Sequence, residues 1–198
     1  MKATIKPKSL CYGITNKTND GLYTLFADYD NVYFHVLLKE LDDLIKVYPD
    51  QLTNFAVFET RESEATSSGV VGSYHVINFS KHPYQKMREM LSRLSVDDKF
   101  FALPKNTAYR CNTLRVSPKF KYLKDGSKGE EVVLTPAPRF VCFYPTTEKL
   151  EPKKKIVSSA HLRAYEILLN MPKFRMSWAT KEDDLTGVQL KKYYSLKE

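Results

Sequence analysis

Cysteine is scarce in this sequence and long apolar runs are absent, and each lack excludes a class of protein. Only three cysteines occur among the 198 residues: Cys11, Cys111 and Cys142. An odd number of widely spaced cysteines fits neither a disulfide framework nor a CxxC zinc site, so we expect reduced, mostly buried thiols and no zinc. No apolar run approaches the roughly 18 residues that a membrane-spanning helix needs, so no membrane partner is expected.

The amino-terminal residues also lack the features of a secretory signal. The segment 1–8, MKATIKPK, has basic residues but no apolar stretch after them. The sequence therefore predicts a cytoplasmic protein. Internal repeats and low-complexity segments are absent from the sequence as well.

The residues that are present are typical of a globular protein. They are 42% hydrophobic, 13% aromatic and 27% charged, and the length suits one domain, or one domain with a small appendage. The 31 lysines and arginines outnumber the 23 acidic residues, which gives a formal net charge of +8. Such a basic chain is suited to a polyanionic partner.

Hydrophobic periodicity predicts an α+β fold. An apolar stripe at helical spacing runs from Phe34 to Tyr48 and ends at Pro49, and Pro83 opens a second amphipathic helix. The segments rich in strand-forming residues are 22–28, 53–60, 70–79, 109–116, 132–134 and 140–144. The first five elements follow the order strand, helix, strand, strand, helix. We therefore expect one open, mixed or antiparallel sheet with helices on one face.

The carboxyl-terminal part of the chain differs in composition. The segment 149–155, KLEPKKK, is typical of a charged linker, and 160–169 is predicted to form a helix. We therefore expect a main domain over 1–148, followed by a basic linker and a helical extension over 149–198. The pattern beyond Met171 predicts no particular structure.

Two carboxylates lie at the end of the first predicted strand. Asp28 and Asp30 are two residues apart, so the period of a strand turns both to the same side of the sheet. Such a pair repels itself unless a divalent cation neutralises it, and Mg²⁺ is commonly held by one or two carboxylates together with substrate phosphates. The alternative is a turn in which Asp28 and Asn31 bind backbone amides.

A hydroxyl and an imidazole show the same spacing on a later predicted strand. Ser73 and His75 follow a loop of small residues that would let a ligand approach the backbone. Both side chains would face the same way and could donate hydrogen bonds to phosphate oxygens beside the carboxylate pair. The alternative is a histidine whose hydrogen bonds are satisfied inside the sheet or at its edge.

An acidic pair and a basic segment complete the set of candidate residues. Asp97 and Asp98 come just after the second predicted helix. Arg115 and Lys119 lie further along, in the segment 114–119, LRVSPK. The planar fork of arginine and the point charge of lysine both suit phosphate groups, although either residue could equally be a solvated surface charge.

Taken together, these motifs resemble those of the archaeo-eukaryotic primase superfamily. The order is an Asp-x-Asp after a strand, a Ser-x-His on a later strand, and an apolar residue followed by aspartate after the next helix, here Val96-Asp97. The segment 114–119 is similar to the Arg- and Lys-bearing strand of small primase-polymerases from plasmids and viruses. The resemblance covers roughly residues 20–120.

The resemblance implies a primase-polymerase catalytic domain over 1–148, with a core related to the RNA-recognition-motif fold. The catalytic carboxylates, binding two Mg²⁺ or Mn²⁺ ions, would be Asp28, Asp30 and Asp97, with Asp98 as the alternative third ligand. The residues binding the nucleoside triphosphate would be Ser73, His75, Arg115 and Lys119. The implied partners are a single-stranded DNA template, nucleoside triphosphates and a helicase supplied in trans. A virus or plasmid is the implied source, which would place the protein in the host cytoplasm.

Two other functions remain open on the sequence. The basic segment over 110–128, interleaved with aromatic residues, could follow a single-stranded template or could be a solvated β-hairpin. One alternative to the enzyme is a catalytically inactive relative of primases that binds single strands. A rolling-circle replication endonuclease would need two histidines flanking one apolar residue, and His75 has no such partner. Tyr193 or Tyr194 would have to serve as its nucleophile.

Overall fold

The computed structural model describes residues 9–106, 111–121, 132–145, 157–169 and 190–195. In this part of the chain two five-stranded antiparallel sheets and four helices form a mixed α+β fold. The helices are α1 (Phe34–Val47), α2 (Tyr84–Leu91), α3 (Asp98–Asn106) and α4 (Ser159–Leu168). The strands are β1 (Ser9–Thr15), β2 (Tyr23–Tyr33), β3 (Phe55–Glu59), β4 (Glu64–Thr66), β5 (Gly69–His82), β6 (Thr113–Arg115), β7 (Lys119–Lys121), β8 (Val132–Thr135), β9 (Arg139–Tyr144) and β10 (Leu190–Ser195).

The first sheet, sheet I, has the order β2, β5, β3, β9, with β4 paired to β5. Its long central strand β5 is antiparallel to both β2 and β3. The second sheet, sheet II, has the order β10, β1, β7, β8, with β6 paired to β1. The expectation of an α+β fold is therefore confirmed, whereas the single sheet of the sequence prediction is in fact two.

Helix α1 packs on one face of sheet I, as its apolar stripe predicts. Its buried residues are Leu37, Leu41 and Leu44, which recur at helical spacing. The hydroxyl of Tyr29 on β2 bonds the Glu40 carboxylate of this helix. Tyr29 therefore faces α1, and its neighbours along β2 face the opposite side of the sheet.

The face of sheet I opposite α1 is covered too, whereas the sequence predicts helices on one face only. The ring of Tyr165 on α4 lies 6.0 Å from that of Phe26 and 5.6 Å from that of Phe58, centroid to centroid. Both phenylalanines belong to sheet I and are fully buried. The predicted helix over 160–169 is thus present as α4 and packs on the core of sheet I.

Residues far apart in the chain build sheet II. Its strand β10 pairs with β1 along six residues, from Ser9 opposite Ser195 to Ile14 opposite Leu190.

None of the helices in the described parts of the chain has the length and apolar character that a membrane span requires. The predicted linker over 149–155 lies outside the described residues, as do the first residues of the strand predicted over 109–116.

Substitution of His82 by leucine should make the protein less sensitive to acid. His82 is buried at the end of β5, and burial with the nearby Lys86 charge lowers its pKa to about 4. Because the folded pKa lies below the unfolded value near 6.5, wild-type stability is lost as the pH falls from 6.5 towards 4. His82→Leu lacks this loss, which amounts to about 2–3 kcal/mol.

Urea denaturation at pH 7 and pH 4 measures this difference. A His35→Leu variant, in which an exposed histidine is removed, is the control and should lose as much stability as the wild type. Equal losses in wild type and His82→Leu would contradict the assignment.

Candidate nucleotide-binding cleft

An open cleft of about 200 Å³ lies between the two sheets. Sheet I and the turn after β3 contribute acidic, histidine, threonine and arginine side chains to its wall, namely Asp28, Asp30, Thr60, Arg61 and His75. Sheet II and its connections contribute Cys11, Thr113, Arg115, Lys119 and Thr135. The two carboxylates of the cleft therefore lie on the wall formed by sheet I, whereas each of the two walls carries cationic groups.

Strand pairing sets the position of Asp28. In the register of sheet I, Asp28 lies directly opposite His75, and His75 lies opposite Phe58 on its other side. Asp28 alternates with Tyr29 along β2 and so points away from α1, into the cleft. The His75 Nε2 atom is 3.6 Å from the Asp28 Oδ1 atom.

A bulge in β2 includes the second residue of the carboxylate pair, Asp30, together with Asn31. The pairing with β5 shifts register between Tyr29 and Val32, and Asn31 adopts a left-handed conformation with φ of 54°. Asparagine tolerates this conformation better than most residues. Asp30 lies within this bulge and lines the cleft together with Asp28.

The pKa of Asp28 reflects its burial and the negative charges of neighbouring carboxylates. Burial, followed by the charges of Asp30 and Asp97, raises the pKa of Asp28 to about 7, against the opposing influence of Arg115 and Arg61. Carboxylates placed this close favour a proton or a cation between them. The predicted third carboxylate, Asp97, is therefore near enough to act on the first.

Asp97 is joined to β2 through its backbone. Its N–H donates to the Asp28 carbonyl oxygen at 2.9 Å. Its carboxylate accepts a hydrogen bond from the Phe100 N–H at 2.9 Å, so Asp97 also acts as the N-cap of α3. Asp98, the alternative third ligand, is an exposed residue in the first turn of α3.

His75 is held by sheet II. Its ring forms a hydrogen bond to the backbone of Arg115, and burial together with the Arg115 charge lowers its pKa to about 3. The imidazole is therefore neutral at physiological pH. The ring is hydrogen-bonded inside the fold, as one of the two alternatives from the sequence has it, and it also lines the cleft.

Ser73 lies deeper than the sequence prediction implies. It is 2% exposed, its hydroxyl accepts from the Asn31 N–H at 3.4 Å, and it is not among the described residues that line the cleft. Its carbonyl oxygen accepts from both the N–H and the hydroxyl of Thr60. In this structure Ser73 thus anchors the bulge of β2 and the end of β3.

The guanidinium of Arg115 connects three segments across the cleft. It donates to the carbonyl oxygen of Ser117 at 2.7 Å and to that of Thr60 at 3.3 Å, and it also donates to Pro136. Thr60 follows β3 of sheet I, whereas Ser117 follows β6 of sheet II. Arg115 therefore ties the two walls of the cleft together while its charge remains beside the carboxylates.

The donor set fits a magnesium or manganese ion through two carboxylates rather than through a closed cage. Among the described residues, no three histidine, cysteine, aspartate or glutamate side chains are grouped tightly enough to enclose a metal. Mg²⁺ needs only one or two carboxylates when phosphates and waters complete its octahedron. Asp28 and Asp30 would meet that requirement, and a divalent cation would offset both the burial and the neighbouring carboxylate charge that raise the pKa of Asp28.

Several cleft residues were not anticipated from the sequence. Arg61 directly follows the strand predicted over 53–60, whose last residue, Thr60, is hydrogen-bonded to Ser73. This place at the end of a predicted strand was the only sequence signal for a role of Arg61 in the cleft. Cys11 lies on β1, whose pairing partners β6, β7 and β10 are distant in the chain, so local pattern gives no signal for its position. Tyr193 and Tyr194 lie on β10, and their side chains are outside the description.

Comparison of the chain with models of protein families, with curated proteins and with solved structures gives no match.

Proposed function

We propose that this protein is a template-dependent nucleotidyltransferase of the archaeo-eukaryotic primase superfamily, which starts or extends DNA strands from nucleoside triphosphates. The proposal rests on the residues that line one cleft. Residues from motifs that are widely separated in the chain line it together: the Asp-x-Asp pair, His75, and both basic residues of the segment 114–119. Such a combination of carboxylates and cations suits a metal-bound triphosphate.

The architecture of sheet I supports a relationship to the RNA-recognition-motif fold. Its elements follow the order β2, α1, β3, β5, α2, with the short β4 inserted before β5. The third long strand, β5, lies between the other two and is antiparallel to both. The candidate carboxylates lie on the face of this sheet opposite α1.

The acidic wall would hold the metal ions. Asp28 and Asp30 would be the ligands, and Asp97, whose charge reaches Asp28, would add negative charge beside them. When bound, the ions would neutralise the triphosphate and lower the pKa of the attacking 3′-hydroxyl. The protein itself contributes a fixed arrangement of carboxylates, since the hydrogen bond from the Asp97 N–H to Asp28 holds α3 against β2.

The basic wall would hold the triphosphate. Lys119 and Arg115 lie across the cleft from the carboxylates and complement the negative charge of a nucleotide. His75 is neutral and its ring is hydrogen-bonded to the backbone of Arg115, so it would border the triphosphate without adding charge. A single-stranded template, and a helicase acting in trans, would be the macromolecular partners of such an enzyme in its virus or plasmid.

Incorporation of labelled nucleotides on single-stranded DNA tests this proposal. Assays with and without a primer, in Mg²⁺ and in Mn²⁺, compare wild type with a variant that carries Asp28→Ala and Asp30→Ala. We expect products with wild type in at least one metal and none with the double variant. Products in the unprimed reaction would identify a primase rather than a polymerase that only extends.

An inactive relative that binds single strands is the alternative function. It would bind DNA with an affinity that the double variant retains or improves, because two negative charges leave the cleft. Binding of labelled single strands by wild type, without incorporation in either metal, would favour this alternative and contradict the enzyme.

A further inference from the structure

We infer that Arg61, which lies outside every sequence motif identified above, is a substrate-binding residue that contacts the triphosphate in the cleft. The inference rests on the proposed function and extends it to a specific residue. Arg61 lines the cleft beside Asp28 and Asp30. Its positive charge reaches Asp28, as does that of Arg115.

The backbone just before Arg61 is fixed by hydrogen bonds of Thr60 to two other segments. Thr60, its neighbour, donates through its N–H and its hydroxyl to the Ser73 carbonyl oxygen, at 2.9 and 3.1 Å. The Thr60 carbonyl oxygen accepts from the Arg115 guanidinium. Because Thr60 is held in this way, the backbone of Arg61 has a defined position beside the cleft.

The side chain of Arg61, in contrast, is exposed. The Glu59 carboxylate at the end of β3 is bonded to Arg139 at 2.6 Å and to the Ser63 N–H at 3.1 Å. Within the described part of the chain, no ion pair or hydrogen bond holds the Arg61 guanidinium. Its five N–H donors are thus available to a ligand.

Arg115 differs in this respect. Both terminal nitrogens of its guanidinium donate to backbone carbonyl oxygens, those of Ser117, Pro136 and Thr60. Arg115 is therefore largely a positioning residue that orders the strand ends around the cleft. A planar fork able to take two phosphate oxygens at once is better supplied by Arg61, with Lys119 adding a point charge.

Equilibrium binding of Mg²⁺-ATP and Mg²⁺-dATP to wild type, Arg61→Gln and Arg61→Lys tests the inference. A charge-assisted hydrogen bond contributes enough that Arg61→Gln should weaken triphosphate binding about tenfold or more. The affinity for AMP, which lacks the two outer phosphates, should fall much less in Arg61→Gln. The affinity of Arg61→Lys for the triphosphates should lie between those of wild type and Arg61→Gln. The charge-matched control is Arg163→Gln, at an exposed position on α4, which should bind as wild type does.

The outcomes separate the two proposals. Weaker triphosphate binding by Arg61→Gln alone, with unchanged thermal unfolding, supports the role of Arg61. Equal triphosphate binding by wild type and Arg61→Gln overturns that role and leaves the proposed function in place. A wild type that binds neither triphosphate overturns both.

Discussion

Asp28→Asn should reduce nucleotide incorporation at least about a hundredfold, because an amide cannot replace a carboxylate as a ligand of a divalent cation. The cation stabilises the charge of the transition state by several kcal/mol. The same variant should be more stable than wild type in metal-free buffer. Burial and neighbouring charges raise the pKa of Asp28 to about 7 in the folded protein, so ionisation of this carboxylate opposes folding as the pH rises from about 4 to 7. Above pH 7 the variant should therefore gain about 1–3 kcal/mol in free energy of unfolding, and below pH 4 nothing.

A loss of activity with a gain of stability distinguishes a metal-binding carboxylate from a structural one. Primer extension and urea denaturation at pH 8 measure the two effects on the same preparation. Asp43→Asn, which neutralises an exposed carboxylate on α1, is the matched control and should change neither quantity appreciably. Asp28→Asn with full activity, or with reduced stability at pH 8, would contradict this account of the cleft.

Arg115→Gln should be the most destabilising of the charge-removing substitutions in the cleft. The variant loses guanidinium hydrogen bonds to three backbone carbonyl oxygens, on segments that belong to both walls. Hydrogen bonds to charged groups contribute more than neutral ones, so we expect a loss of about 2–4 kcal/mol. Arg115→Lys should recover only part of it, because an ammonium group cannot reach the same acceptors in a fixed plane.

Denaturant unfolding of Arg115→Gln against Arg139→Gln measures this contribution. Arg139 also bonds a residue at the end of β3, Glu59, but its side chain is 76% exposed and its ion pair is a surface one. The control should lose less than about 1 kcal/mol. If both variants lose the same amount, Arg115 does not tie the walls together.

Local sequence pattern predicts four of the five strands of sheet I, missing the short β4, and it predicts α1, α2 and α4 but not α3. The stripe from Phe34 to Tyr48 has one period and one proline stop, and α1 ends at Val47, directly before Tyr48. Sheet II is predicted only in part, because β8 and the residues of β6 lie within predicted strands whereas β1, β7 and β10 do not. Strand β7 has three residues, too few for a period, and β10 pairs with β1 across nearly the whole length of the chain.

The candidate site shows the same division between local and distant information. Spacing by two along a strand predicts that Asp28 and Asp30 share one side, and both line the cleft. The pairing of Asp28 opposite His75 depends instead on the register of β2 against β5, which no local pattern contains. Ser73 lies beneath the surface because a bulge brings the Asn31 N–H to its hydroxyl, and bulges of this kind leave little signal in the sequence.

Template-directed incorporation tests the central claim most directly. Wild-type protein is given a primed oligo(dT) template and each of the four nucleotides separately, and both the extended strand and released pyrophosphate are measured. The account predicts extension with the adenine nucleotide alone, in Mg²⁺ or Mn²⁺, with one pyrophosphate released for each residue added. No extension in either metal, extension that ignores the template, or release of orthophosphate in place of pyrophosphate would contradict it.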